Sequence, residues 1–90
     1  MGLKIPSQLK IGGHLYKVKI LDAEDINNNC GEQNCARNTI KIRKDLPQDQ
    51  IEETFLHEIL HAINNRISEQ EITFLAHTLY QVFRDNKLWD

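Results

Sequence analysis

No stretch of the chain approaches the roughly 18 consecutive apolar residues that a membrane-spanning helix requires, so a spanning segment is excluded. Clustered positive charge is also missing. Formal net charge is −2, and the only local basic group is Lys41, Arg43 and Lys44. Non-specific nucleic-acid affinity rests on massed Lys and Arg, so no nucleic-acid partner is expected. Those three residues read instead as the solvated face and end of a strand. Met1 to Lys10 holds two lysines and Pro6 and no apolar run, unlike a secretory leader, and the expected compartment is the cytoplasm. Cysteine is scarce. The one pair, Cys30 and Cys35 in "CGEQNC", excludes a four-thiolate zinc site within one chain. Free thiols in a reducing compartment are the expectation, with a local disulfide or added metal ligands as alternatives. Repeats, linkers and low-complexity tracts are absent too, and residues 1–90 are read as a single domain.

What is present divides into two halves. A hydrophobic fraction of 40% and a charged fraction of 27% fit an ordinary globular domain. The first half reads as β. "QLKIGGHLYKVKIL" holds a short alternating run, Gly12-Gly13, and a longer alternating run. A glycine pair there signals a hairpin, because a tight primed turn needs positive φ at its central residues. Tyr16, Val18 and Ile20 point to one face and Lys17 and Lys19 to the other, which suits an antiparallel sheet with one wet face. "DAEDINNNCGEQNCARN" is a long polar excursion, with a short strand expected near Cys30. "NTIKIRK" follows as a further strand, and its segment Asn38 to Arg43 is the expected sheet edge, open to an added peptide strand.

The second half reads as α. Leu46-Pro47 suits a helix entry with proline at the first helical position, and Asp49, Glu52 and Glu53 favour the positive end of the helix dipole. Ile51, Phe55, Ile59, Ala62 and Ile63 recur at helical spacing, and Leu56 and Leu60 widen the stripe. A helix so broadly apolar lies between the sheet and a second layer. Asn64 or Asn65 in a left-handed conformation is the expected break. Ser68 and Glu71 have the spacing of a capping box that opens a second helix, with Ile72, Leu75, Ala76, Leu79, Val82 and Phe83 inside. The terminal "RDNKLWD" closes that helix, with Trp89 either facing a partner or packed back on the domain. The resulting class is α+β, with a small antiparallel sheet of about three to four strands, then two helices.

The chemistry concentrates in "HEILH". On a helix, His57 and His61 have β-carbons about 5–6 Å apart on one face, and two imidazoles so spaced converge on one Zn²⁺. Glu58, a quarter-turn round, reaches a metal-bound water rather than the metal, as in the HExxH arrangement of metalloproteases. With four His in ninety residues, chance produces this pattern in about one shuffled sequence in a hundred. Iron, cobalt or manganese suits similar ligands. A catalytic zinc needs a third protein ligand, and the downstream candidates are Glu69, Glu71, His77 and Asp85. On an unbroken helix Glu69 would lie about 12 Å beyond His61, so a shared metal requires the chain to turn between Ala62 and Ser68. Glu71 is engaged in the capping box, which favours Glu69. Thr73, one turn on, is placed to orient it. His77 falls on the outward side.

"TFLHEILHAI" followed by "SEQEITFLAHTLY" resembles the ImmA/IrrE-like metallopeptidases, in particular small phage- and prophage-encoded HExxH proteins. The family's second helix opens with a pattern like E-x-x-A-N-x-F-A-x-x-L, met here by Glu69, Ile72, Thr73, Leu75, Ala76 and Leu79. The upstream "YKVKIL" and "NTIKIRKDL" look like the strands that precede the motif helix. Thr73 departs from the family's Asn, the His61–Glu69 connection is short, and no helix-turn-helix or sensor domain accompanies the core. The resemblance implies a zincin-like minimal core with Zn²⁺ on His57, His61 and Glu69. It also implies Glu58 as general base, and a protein or peptide substrate such as a repressor. Tyr80, Tyr16 and His14 are the candidates for stabilising the oxyanion, and the sequence does not choose among them. The rivals are a non-catalytic zinc-containing interaction module and a metal-free helical interaction domain. Substrate and oligomeric state are not legible.

Overall fold

Gly12 and Gly13 both adopt positive φ, 56° and 87°. Their two-residue loop joins β1 (Gln8–Ile11) antiparallel to β2 (His14–Leu21), with Ile11 opposite His14. The structure is a computed structural model that describes residues 5–88, and Trp89 lies outside them. Tyr16 and Val18 are buried as their alternation requires, whereas Ile20, near the strand's end, is 43% exposed.

The polar excursion after β2 is structured. A 3-10 turn over Ala23–Ile26 buries Ile26 almost completely, and Asn27 and Asn28 follow in the left-handed region. The chain then forms β3 (Gly31–Asn34), antiparallel to β4 (Thr39–Arg43). β4 returns beside β2 in parallel, with Val18 opposite Ile40 and Ile20 opposite Ile42. The sheet order is therefore β1-β2-β4-β3. The expected wholly antiparallel sheet is corrected to a mixed one. The excursion is long enough to carry the chain back to the start of β2, a path that parallel neighbours require and a tight hairpin forbids. The expected edge at Asn38 to Arg43 is corrected as well. β4 is paired on both sides, and the outer strand on that flank is β3.

Helix α1 (Gln48–Ile63) lies across the sheet, with Pro47 capping it from just outside the first turn. Ile51 and Phe55 pack with Tyr16, Val18, Ile40 and Ile42, supported by Ile59 and Ala62. Leu56, with Leu60, turns the other way and meets Ala76 and Tyr80 of α2 (Glu69–Asp85). The broad stripe thus serves two layers.

Between the helices the chain reverses. Asn64 is extended (φ −152°, ψ 98°) rather than left-handed. Its side-chain oxygen accepts from the Arg66 N–H at 3.0 Å and its carbonyl from the Ile67 N–H at 3.4 Å, an Asx-type turn that does the same work. Ser68 caps α2, its hydroxyl accepting from the Glu71 N–H at 3.2 Å and donating to the Glu71 carboxylate at 3.3 Å. On α2, Ile72, Ala76 and Tyr80 are buried, while Leu75 and Val82 are 42% and 36% exposed. Tyr80 takes the inner position expected for them because its phenol donates to Glu52 of α1 at 2.5 Å. No helix among the described residues is long and apolar enough to cross a membrane.

Candidate metal centre

His57 and His61 sit one turn apart on α1, both with side chains 19% exposed, and the Asn64 turn brings the first residue of α2 back over them. The Glu69 carboxylate lies 2.5 Å from His57 Nε2 and 3.2 Å from His61 Nε2, and the two Nε2 atoms are 3.2 Å apart. These donor atoms fall within 4.8 Å of one another and form the one such group among the described residues. A tetrahedral ion with bonds of about 2.05 Å sets its ligands about 3.3 Å apart. The two 3.2 Å spacings are close to that edge length and the His57–Glu69 spacing is shorter, and two imidazoles with one carboxylate form a donor set suited to zinc. The residues present therefore fit the ion.

The other expected site residues fall in different places. Glu71 is held in the cap of α2. Thr73 donates its hydroxyl to the Glu69 carbonyl at 2.9 Å, so it ties the backbone of the first turn and does not orient the Glu69 carboxylate. His77 is exposed beside Glu53, at 3.1 Å. Asp85, at the far end of α2, accepts from Gln81. Tyr16 belongs to the sheet core, Tyr80 to the interface between the helices, and His14 is exposed at the start of β2. None of these three lines the cavity beside the triad.

That cavity, about 510 Å³, is bounded on one side by Thr54, His57, Glu58, His61 and Glu69. Its opposite wall is β3 and the residues leading into it, with Gly31 and Gln33 facing in. Cys30 is at its rim, an exposed free thiol whose Sγ accepts from Gln50 Nε2 at 3.7 Å; Cys35 is also free and exposed. Neither sulfur joins the metal-ligating group.

Glu58 is 7% exposed. Burial first, then the nearby carboxylates of Glu69 and Glu32, push it up from 4.5 to about 7. Both causes disfavour its charged form. The reason for its burial is Gly31. A Cβ built on that residue would stand 2.5 Å from the Thr54 methyl and 3.0 Å from Glu58 Oε2. The strand closes on the helix only because no side chain intervenes, and the carboxylate is enclosed between them.

Gly31, Gln33 and Thr54 are the site residues that sequence reasoning missed. A glycine inside "NNNCGEQN" reads as loop punctuation, and nothing local marks it as a point of close approach. Thr54 carried one usable signal, being a small polar residue one turn before Glu58 on the same helical line. The chain matches no family model, no curated protein and no solved structure, so the residues and their geometry carry the functional reading.

Proposed function

We propose that the chain is a zinc-dependent metallopeptidase of the zincin type, similar to the small ImmA/IrrE-like proteins, hydrolysing a peptide bond in a protein or peptide partner in the cytoplasm. The observation that carries this reading is the convergence of His57, His61 and Glu69 on the same cavity that receives the buried Glu58 carboxylate. A structural zinc is closed by four protein ligands, whereas a triad facing a cavity suits catalysis.

His57, His61 and Glu69 would hold the ion, which when bound supplies Lewis-acid polarisation and a water acidified to near neutrality. Glu58 takes the proton as the water oxygen bonds to the carbonyl carbon, then delivers it to the amide nitrogen as the C–N bond breaks. Glu58 suits that exchange by position: it is buried at the cavity wall beside the proposed ligands, shielded from bulk water. The free edge of β3 is the backbone that an extended substrate can pair with, in place of the inner strand β4.

The test uses the zinc-loaded chain, a proteome-derived peptide library and mass-spectrometric detection of new termini. Cleavage is expected from the native chain and not from Glu58→Gln, with one equivalent of zinc retained by both. A chain that binds no zinc sinks the proposal. One rival has an observation in its favour. Phe74 and Leu75 stand 69% and 42% exposed on the outer face of α2, as a docking module would present them. A native chain that cleaves nothing, with a biological effect that survives Glu58→Gln, would favour that rival.

A further inference from the structure

Hydrolysis through a tetrahedral centre places negative charge on the former carbonyl oxygen, and a donor aimed at that atom is usually a large contributor to rate. The residues that line the cavity include no lysine, arginine, tyrosine or tryptophan. Both histidines belong to the triad, and Glu58 and Glu69 are acceptors when charged. The Thr54 hydroxyl is the one remaining side-chain donor on the helix side, and that residue is buried with its methyl against Gly31, so the opposite wall is the better source of a donor.

Gln33 and Asn29 are the two side-chain amides on that wall. They differ in how firmly they are held. Gln33 lies within β3, half-buried, with its backbone paired opposite Ile40. Ile40 is fully buried in the sheet core, so the strand register directs Gln33 to the helix side, the same side as Gly31. Gly31 is in contact range of Glu58, and Gln33 follows it by one strand repeat, about 6.6 Å along the same wall. Its amide makes no hydrogen bond to another described residue that would turn it from the cavity. Asn29 precedes the strand on an exposed turn. Preorganisation is what makes a donor effective, and it favours the residue fixed in the sheet.

We infer that Gln33 is a catalytic residue whose side-chain amide N–H donates to the carbonyl oxygen as it becomes an oxyanion. This rests on the metallopeptidase reading. In the step it serves, the water oxygen bonds to the carbonyl carbon, the π electrons move onto the carbonyl oxygen, and the water's proton goes to Glu58. Gln33 gains and loses no proton. It donates a shorter, stronger hydrogen bond to the charged oxygen than to the neutral one.

Gln33→Ala, Gln33→Glu and Asn29→Ala are compared with the native chain in two assays. The first is zinc affinity and steady-state hydrolysis of the best-cleaved library peptide. The second is binding of a tripeptide phosphinate, a tetrahedral anionic probe, to cobalt-loaded protein, read from the cobalt absorption bands. Gln33→Ala is expected to lower kcat by about 10²–10³ while leaving KM and zinc affinity nearly unchanged, and to weaken phosphinate binding. Gln33→Glu is expected to be at least as damaging, and Asn29→Ala to change little. Gln33→Ala with native kcat, or native phosphinate affinity, overturns the assignment. So does a pattern in which Asn29→Ala carries the loss. A native chain that binds zinc but hydrolyses no peptide overturns the metallopeptidase reading and this assignment with it, whereas hydrolysis that Gln33→Ala leaves intact overturns the assignment alone. A merely structural role would lower zinc affinity and folding together with kcat, and is separated in that way.

Discussion

Helix α1 faces two interiors that differ in kind. On the sheet side, Ile51 and Phe55 meet Tyr16, Val18, Ile40 and Ile42, with partly buried aliphatic residues around them. On the α2 side the buried cluster is Leu56, Ala76 and Tyr80, and beside it lies a polar network. Tyr80 donates to the buried Glu52, Gln48 donates to the other Glu52 oxygen at 2.9 Å, and Arg84 donates to the phenol oxygen at 3.1 Å. Burial first, and then Glu52, raise the Tyr80 phenol to about 12. The sheet side is held by area, the helix side by a small apolar patch plus hydrogen bonds. His57 and His61 belong to the helix anchored on both sides, and Glu69 belongs to the one anchored on the weaker. A metal held by all three would join these two layers, so its binding free energy would reinforce the thinner seam.

The contrast can be broken most directly at Phe55. Phe55→Ala is expected to cost about 3–5 kcal/mol and to remove amide-exchange protection from sheet and helices together. Leu56→Ala should release α2 while the sheet stays protected. If both variants lose sheet protection equally, the layers form one cooperative unit and the contrast fails.

Next in size is a pH effect at the junction. Glu58 has a folded-state pKa of about 7 against an ordinary 4.5. In protein stripped of metal by a chelator, its protonated form stabilises the fold fully below pH 4.5, and that contribution disappears as pH rises through 7. The difference is about 3 kcal/mol, at about 1.36 kcal/mol for each pKa unit. Urea midpoints between about pH 4 and 8 should show this decline, Glu58→Gln should flatten it, and a native curve without slope would contradict it. Zinc opposes the effect, because a nearby cation favours the charged carboxylate.

Tyr80→Phe sharpens the comparison. It removes one donor from buried Glu52, at about 1–3 kcal/mol. Because the loss falls at the weaker seam, zinc affinity should drop by roughly tenfold, equivalent to about 1.4 kcal/mol, with sheet protection unchanged. Unaltered zinc affinity would mean that the network does not position Glu69. The smallest effect belongs to Ser68→Ala, about 1 kcal/mol through loss of the α2 cap. It too should be read more strongly by zinc titration than by urea.

Much of this organisation is legible locally. Gly12-Gly13 marks the hairpin, His57 and His61 mark a shared helix face, and Ser68 with Glu71 marks the start of α2. Each is a short-range pattern whose cause lies within a few residues. The requirement for a turn before Ser68 followed from helix geometry joined to the expectation of a metal shared by His61 and Glu69. Long-range facts were not legible. The parallel pairing of β2 with β4 depends on where a polar excursion returns, and nothing in "NTIKIRK" states which strand it will lie beside. The choice of Tyr80 over Leu75 and Val82 for the interior rests on Glu52, which lies 28 residues earlier. The role of Gly31 depends on a helix that begins well after it in sequence.

β3 holds to the sheet by β4 alone and is entered and left through turns, with left-handed Asn27, Asn28 and Asn38 on either side. Arg43 secures the entry, its guanidinium donating to the Asn28 carbonyl and its backbone N–H to that of Cys30. The wall opposite the HExxH helix is therefore a cassette at the margin of the fold. Its other residues can be exchanged while the core beneath stays as it is, provided position 31 keeps its glycine and position 33 its glutamine. A lineage, or an engineer, could redirect what the cavity accepts by rewriting a handful of positions there.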